Sequence, residues 1–69
     1  GYAFLAAQIN VIDARNPQVA ARLARCFDRW RRFDAGRQAD ARAALESIRD
    51  HAGLSRDVGE IVARALGDA

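Results

Sequence analysis

Apolar residues recur along this chain with the spacing of α-helices, in four successive stretches separated by short polar segments. The first stretch, residues 2–14, carries apolar side chains on more than one side, among them Phe4, Ile9 and Val11. A helix of this kind is usually covered by neighbours on two sides. We therefore predict a helix over residues 2–14 that needs more cover than a small isolated domain provides.

The second stretch predicts a helix over residues 17–32. Asn16 can accept a hydrogen bond from a free N–H of the first turn, and Pro17 suits the first helical position because it has no N–H. The apolar positions follow at helical spacing and predict one buried face. These positions are Val19, Leu23, Cys26, Phe27 and Trp30.

Two further helices are predicted over residues 35–52 and 56–66, with Asp34 and Ser55 as their N-terminal caps. Gly53 and Gly67 are expected to end them, because glycine readily adopts the left-handed conformation that closes many helices. The predicted buried positions are Ala41, Ala44, Leu45, Ile48 and Ala52 in the third helix, and Val58, Ile61, Val62, Ala65 and Leu66 in the fourth.

The pattern as a whole predicts an all-α fold. No alternating run of β-branched residues bounded by turns indicates a strand. The connections are short, so successive helices should form two antiparallel helical hairpins. We predict one helical segment over residues 1–69 that resembles a fragment of a HEAT/ARM-like α-solenoid.

The composition limits the chemistry that this chain can perform. It has 69 residues, one cysteine and one histidine, so an internal disulfide is excluded and no metal-binding cluster is predicted. Cys26 is interpreted as a buried structural thiol, and His51 as a cation that complements the dipole at the end of the third helix. No catalytic residue, metal ligand or cofactor is predicted. An unpaired thiol suits a reducing compartment, so we expect a cytoplasmic protein.

No apolar run approaches the roughly 18–20 residues of a membrane span. No basic segment precedes the apolar residues at the start of the chain, so a signal peptide is not expected either. We therefore predict no membrane partner.

All 11 basic residues are arginines, although the net charge is only +2. Arg22, Arg25, Arg29 and Arg32 recur at spacings of three and four, which predicts one strip along the second helix. Neighbouring like charges repel, so solvent, acidic residues or a bound anion should offset them. Nucleic acid is not favoured, because domains that bind it usually carry a larger positive excess without interleaved acidic residues.

Four strings of this sequence resemble the C-terminal end of the bacterial aminopeptidase N family, which are zinc metallopeptidases of the gluzincin type. They are NPQVAARL at residues 16–23, WRRFDAGRQ at 30–38, RAALE at 42–46 and GLSRDVGEIVARAL at 53–66. The segment at residues 1–18 is similar to the helix that enters this region in the family. The resemblance covers essentially the whole chain.

The resemblance implies that the chain is the last four helices of a helical superhelix domain that closes over an active site. The family's HExxH zinc helix, distal glutamate ligand, substrate-amine loop and catalytic tyrosine lie upstream, without counterparts here. The parent enzyme would use zinc to remove N-terminal amino acids from peptides. This segment would be non-catalytic, would pack against the rest of the aminopeptidase chain, including the catalytic domain, and would wall the substrate chamber. A preceding helix would cover the apolar first helix.

In the family, an arginine of the helix that begins with NPQ faces the substrate chamber, and the matching residue here is Arg22. The resemblance implies that Arg22 contacts peptide carbonyls or a carboxylate, while Arg25, Arg29 and Arg32 lie at an interface or in solvent. The alternative is that Arg22 pairs with an acidic residue of another domain. From the residues alone, a free-standing interaction module that dimerises through its first helix also stays open.

Overall fold

The computed structural model describes residues 1–67, which form four α-helices and two short 3-10 helices and contain no strand. The all-α prediction is confirmed. The α-helices are α1 (Tyr2–Asp13), α2 (Pro17–Ala24), α3 (Ala35–Arg49) and α4 (Arg56–Leu66), and the 3-10 helices are Arg25–Phe27 and Trp30–Arg32.

The helix caps form where the sequence predicts them. The side chains of Asn16, Asp34 and Ser55 each accept a hydrogen bond from the backbone N–H three residues later, at 3.3, 2.9 and 3.2 Å. These bonds satisfy N–H groups that the first helical turn leaves without partners. At the other end of α4, Gly67 has a φ of 82°, the left-handed conformation expected of a helix-ending glycine.

The first hairpin consists of α1 and α2, and its two helices pack against each other. Tyr2, at the start of α1, contacts Phe27 beyond the end of α2, with 5.9 Å between the ring centroids. The start of one helix therefore lies beside the far end of the other, so the two helices are antiparallel. Tyr2 also stacks on Phe33 at 5.8 Å, which places the start of α1 next to the start of α3.

The second hairpin stacks on the first, since α1 packs on α3 and α2 packs on α4. The indole N–H of Trp30 donates a 2.7 Å hydrogen bond to the carbonyl of Ala65, near the end of α4. The backbone N–H of Ser55, at the start of α4, donates a 2.7 Å hydrogen bond to the Asp13 carboxylate at the end of α1. These contacts make α1 parallel to α3 and α2 parallel to α4, as expected for successive hairpins of a solenoid.

Alanine fills many of the contacts between the helices. Ala20, Ala24 and Ala41 are fully buried, and Ala44 is nearly so. Side chains this small let neighbouring helix backbones approach closely, and the larger residues fill the space between the hairpins. The other buried apolar residues are Ala6, Ile9, Phe27, Trp30, Leu45, Ile48, Val58, Val62, Ala65 and Leu66.

The prediction of one continuous helix over residues 17–32 is wrong. The α-helix ends at Ala24, and the chain continues through the two 3-10 helices. Phe27, in the first 3-10 helix, and Trp30, in the second, are both buried. The amide of Gln38 donates hydrogen bonds to the carbonyls of Arg31 (3.0 Å) and Phe33 (2.7 Å), which satisfies backbone groups that an α-helix would have paired internally.

The predicted buried face of α2 is also partly wrong. Val19 is 38% exposed and Cys26 is exposed, whereas Ala20 and Ala24 are buried instead. In α2 the buried positions are therefore Ala20 and Ala24, and the predicted position Val19 lies one residue outside this face. The small alanine side chains, and not the larger Val19, thus occupy the positions where α2 packs on its neighbours.

The third helix is shorter than the predicted 35–52. It ends at Arg49, where the N–H of the next residue, Asp50, still bonds to the carbonyl of Glu46. Ala52 is consequently exposed and lies outside the helix, and Gly53 occupies a turn without a positive φ. The chain leaves the helix early, and Leu54 packs half-buried against the core just before Ser55 reaches Asp13. The predicted ends of α1 and α4 differ from the observed ones by at most one residue.

Asp13 is a buried polar residue, with only 3% of its surface exposed. One carboxylate oxygen accepts the Ser55 N–H, and the other has no hydrogen-bond partner among residues 1–67. Burial of a carboxylate is costly, but here the charge lies at the N-terminus of α4, where the helix dipole favours an anion. Asp13 therefore joins α1 to α4 directly.

We expect Asp13→Ala to loosen the start of α4, because the Ser55 N–H loses a buried acceptor at a cost of about 1–3 kcal/mol. Amide exchange of the α4 segment, followed by mass spectrometry, should become roughly 5- to 150-fold faster. Asp40→Ala removes an exposed carboxylate from the middle of α3 and serves as the control. Equal exchange rates in the two variants would contradict the proposed role of Asp13.

Gly67→Ala should unravel the last turn of α4. The left-handed conformation costs an alanine roughly 1–2 kcal/mol, and its methyl group would also lie 2.9 Å from Nη2 of Arg31. Trypsin should then cut after Arg64 several times faster than in the unsubstituted protein. Gly36→Ala is the matched control, because a methyl group there meets only an ordinary contact at 3.6 Å; unchanged cleavage in the Gly67 variant would show that the turn carries no such strain.

Candidate functional site

The candidate site lies on the outer face of α2. Gln18, Ala21, Arg22 and Arg25 follow one another at helical spacing and line a shallow depression of about 290 Å³. Arg22 and Arg25 are exposed, and the small side chain of Ala21 leaves space between them. Both guanidinium groups can therefore reach a group outside this chain.

Arg22 is one of several arginines that form no ion pair with an acidic side chain within residues 1–67. Within residues 1–67, four arginines form ion pairs with a nearby acidic side chain, whereas Arg22 has neither an ion pair nor a side-chain hydrogen bond there. No acidic residue lines its depression. The four pairs are Arg37–Asp34, Arg42–Glu46, Arg49–Asp50 and Arg56–Glu60.

A second depression adjoins the first, and Gln18, Ala21 and Arg25 line both. Its far wall belongs to α4 and carries acidic Asp57 and Glu60 as well as basic Arg64. Glu60 is already bonded to Arg56, with 3.1 Å between Oε1 and Nε. The surface between α2 and α4 thus changes from mixed charge to purely positive charge at Arg22.

The predicted strip of four arginines is not formed. Arg22 lies in α2, Arg25 begins the first 3-10 helix, Arg29 lies between the two 3-10 helices, and Arg32 ends the second. The break after Ala24 removes the regular spacing on which the strip depended. Only Arg22 and Arg25 line the same depression.

Among residues 1–67, neither Cys26 nor His51 has a partner that would make its side chain reactive. Cys26 is exposed rather than buried. His51 is also exposed and lies two residues beyond the end of α3, where its backbone N–H bonds to the carbonyl of Ile48 at 3.1 Å. Within residues 1–67, no group of three or more histidine, cysteine or acidic side chains is arranged to hold a metal ion.

None of the helices described for these residues combines the length and apolar character needed to cross a bilayer.

Two residues that make contacts of interest were not identified from the sequence, Gln18 beside Arg22 and Arg31 beside Trp30. Gln18 lies four residues before Arg22, a spacing that would have placed both on one side of a helix. The Arg31 guanidinium lies 5.0 Å from the centroid of the Trp30 ring and approaches Gly67 at the end of α4. Contacts between distant segments of this kind leave no local signal in a sequence.

A family model described as a domain of unknown function (DUF3458_C) with ARM repeats matches residues 1–67, which are all the residues described above. The chain belongs to the DUF3458_C family. This result agrees with the two stacked hairpins and confirms the predicted ARM-like fold.

Three curated relatives extend this DUF3458_C assignment. The chain is 44% identical to aminopeptidase N of Escherichia coli (strain K12) over 66 residues, 46% identical to that of Caulobacter vibrioides over 67, and 42% identical to that of Haemophilus influenzae over 66. Each alignment covers 96–97% of this chain but only 8% of the relative. No solved structure matches significantly. The resemblance to the C-terminal helical part of aminopeptidase N is thereby confirmed.

Proposed function

We propose that this chain is a non-catalytic helical segment of an enzyme of the aminopeptidase N type, which removes N-terminal amino acids from peptides. The observation that carries this proposal is the 42–46% identity of almost the whole chain to a small part of three aminopeptidases N. The zinc of such an enzyme would be held by residues outside this chain, because the side chains in residues 1–67 do not provide a ligand set. A cytoplasmic location remains part of the proposal.

The exposed side of α1 supports packing against the rest of the parent chain. Phe4 is 69% exposed and Val11 is 60% exposed. They are seven residues apart, with Ala7 between them, so they form an apolar stripe on the side of α1 opposite the buried Ala6 and Ile9. Large apolar side chains grouped in this way usually mark a surface that is covered by another part of a protein.

Arg22 is proposed to face the substrate chamber of the parent enzyme and to bind the peptide substrate. Its freedom from acidic partners within residues 1–67 supports this role, since a guanidinium can donate to carbonyl oxygens or to a carboxylate. The competing assignment is an ion pair between Arg22 and an acidic residue of another domain. Nucleic acid is less favoured, because four arginines are already paired with acidic side chains.

Phe4→Ser should destabilise the full-length protein, because burying a phenylalanine side chain is worth about 1.5–3 kcal/mol. The apparent unfolding temperature of the full-length protein is the measurement. Val19→Ser is the comparison. Val19 lies on α2, outside the apolar stripe of α1, and its side chain is smaller, so its replacement should lower the unfolding temperature less. If Phe4→Ser leaves the full-length protein unaffected but dissociates a dimer of the 69-residue chain in sedimentation experiments, the free-standing module is the better description.

Arg22→Ala in the full-length enzyme should lower kcat/KM for peptides about tenfold, the loss expected for a hydrogen bond to a charged group. Aminoacyl arylamides have no peptide carbonyl or carboxylate beyond the scissile bond for Arg22 to bind, so their hydrolysis should change little. Arg42→Ala removes an arginine from α3 and serves as the control. Unchanged kcat/KM for peptides of every length, together with reduced stability, would instead assign Arg22 to a domain interface.

A further inference from the structure

We propose that a groove between α1 and α3 holds the segment of the parent chain that directly precedes Gly1, an inference that rests on the proposed function. The groove has a volume of about 580 Å³, compared with about 290 Å³ for the depression beside Arg22. It is separate from the stripe of Phe4 and Val11, because that stripe lies on the side of α1 opposite Ala6, and Ala6 lines the groove.

Four alanines line the groove, two from each helix. Ala6 and Ala44 are buried there, whereas Ala3 and Ala43 are exposed. Side chains this small leave room between the two helices for a group from elsewhere, and covering them removes apolar carbon from water. An occupant that places an apolar side chain on these alanines is therefore favoured.

The charged residues of the groove balance each other. Arg37 and Asp40 both line it and are exposed, and Ser47 adds a hydroxyl group. In the parent chain, Gly1 is linked through a peptide bond and adds no charge. One positive and one negative charge give little net attraction for a phosphate, a nucleic acid or a metal ion. Apolar contacts with a few polar groups at the edge are instead typical of a surface that is covered by protein.

The adjoining surface of α1 also indicates cover by protein. Asp13 is the one charged residue of α1, and it is buried. A helix that faces water normally carries charged residues on its outer side, and charged residues are depleted where proteins pack together. The exposed part of α1 is therefore expected to be covered in the parent enzyme.

The covalent link at Gly1 favours the upstream segment as the occupant. Gly1 lines the groove, so a residue attached to it begins at the groove. The alignments cover only 8% of each aminopeptidase N, at its C-terminal end, so the parent chain continues upstream. A segment on a short tether has an effective concentration in the millimolar range, and consecutive elements of a chain are usually adjacent in space. The segment directly before Gly1 therefore reaches the groove more readily than distant parts of the enzyme.

The start of α1 provides a second reason. Gly1 is the N-cap of α1 and makes no side-chain hydrogen bond, and the first turn contains no acidic residue. The other three α-helices are capped by Asn16, Asp34 and Ser55. The N–H groups that a first helical turn leaves unpaired lie at the groove, which Tyr2 also lines. An oxygen atom of the upstream segment in the groove accepts these hydrogen bonds.

The test measures how fast a cysteine in the groove is alkylated by iodoacetamide in the full-length enzyme, with the labelled peptide followed by mass spectrometry. Cys26→Ser first removes the exposed natural thiol. With Ala43→Cys, alkylation should be about tenfold slower or more than with Ala39→Cys, because the occupant protects the thiol. Ala39 is the matched control, since it is an exposed alanine of α3 that does not line the groove.

The roughly 10 residues before Gly1 are then replaced by a Gly/Ser segment of equal length, which when extended exceeds the roughly 18 Å length of α1. This replacement should raise the alkylation rate of the Ala43→Cys variant to that of the Ala39→Cys variant. Hydrolysis of an aminoacyl arylamide shows that the enzyme is still folded.

Equal alkylation rates of the two cysteine variants before the replacement would show that the groove is open and would overturn the inference. Protection that persists after the replacement assigns the groove to another part of the enzyme and overturns it too. In both cases the proposed function stands as long as the full-length protein hydrolyses the arylamide. A full-length protein that is folded but has no aminopeptidase activity contradicts the proposed function itself.

Discussion

A buried carboxylate joins the two hairpins at one end of the molecule. Asp13, at the end of α1, accepts the backbone N–H of Ser55, at the start of α4, over 2.7 Å. The charge is tolerated in the interior because it lies at the positive end of a helix and receives a hydrogen bond there. Trp30 provides the matching tie at the other end, where its indole N–H bonds to the carbonyl of Ala65. Since both ends of α4 are held, its rotation and position relative to α2 are fixed.

The placement of α4 in turn determines the charges on the outer face of α2. Asp57 and Glu60, in the first half of α4, line one depression together with Gln18, Ala21 and Arg25 of the α2 segment. Arg22 lines only the neighbouring depression, where no acidic residue is present. Although the net charge of the chain is only +2, the depression beside Arg22 is lined by two arginines and no acidic residue.

Local rules predicted the elements of this fold well. Side chains such as Asn16, Asp34 and Ser55 cap helices through bonds to residues three positions away, so the signal is contained in a short window of sequence. The presence of four α-helices, their order and their stacking into an ARM-like unit followed from this information and from the resemblance. The break after Ala24 did not, because it depends on Phe27 and Trp30 being buried by segments distant in sequence.

Burial was harder to predict wherever alanine competes with a larger apolar residue. Val19 and Cys26 fit a buried face by hydropathy, yet both are exposed, and Ala20 and Ala24 are buried instead. The prediction for the site failed in a related way. Four arginines were expected on one strip of a continuous helix, but the α-helix ends at Ala24, and of the four only Arg22 and Arg25 line the depression. The functional assignment came from resemblance, since no local rule distinguishes an arginine that binds a ligand from one that keeps a helix soluble.

The two sides of this small stack are chemically unequal. On α1, the side that faces away from the core exposes Phe4 and Val11. On α3, the side opposite α1 carries the Arg42–Glu46 ion pair. A further helix laid on α1 would exclude water from apolar carbon, whereas one laid on α3 would have to strip solvent from paired charges. An additional helix is therefore expected to pack on the apolar side of α1 and not on the charged side of α3.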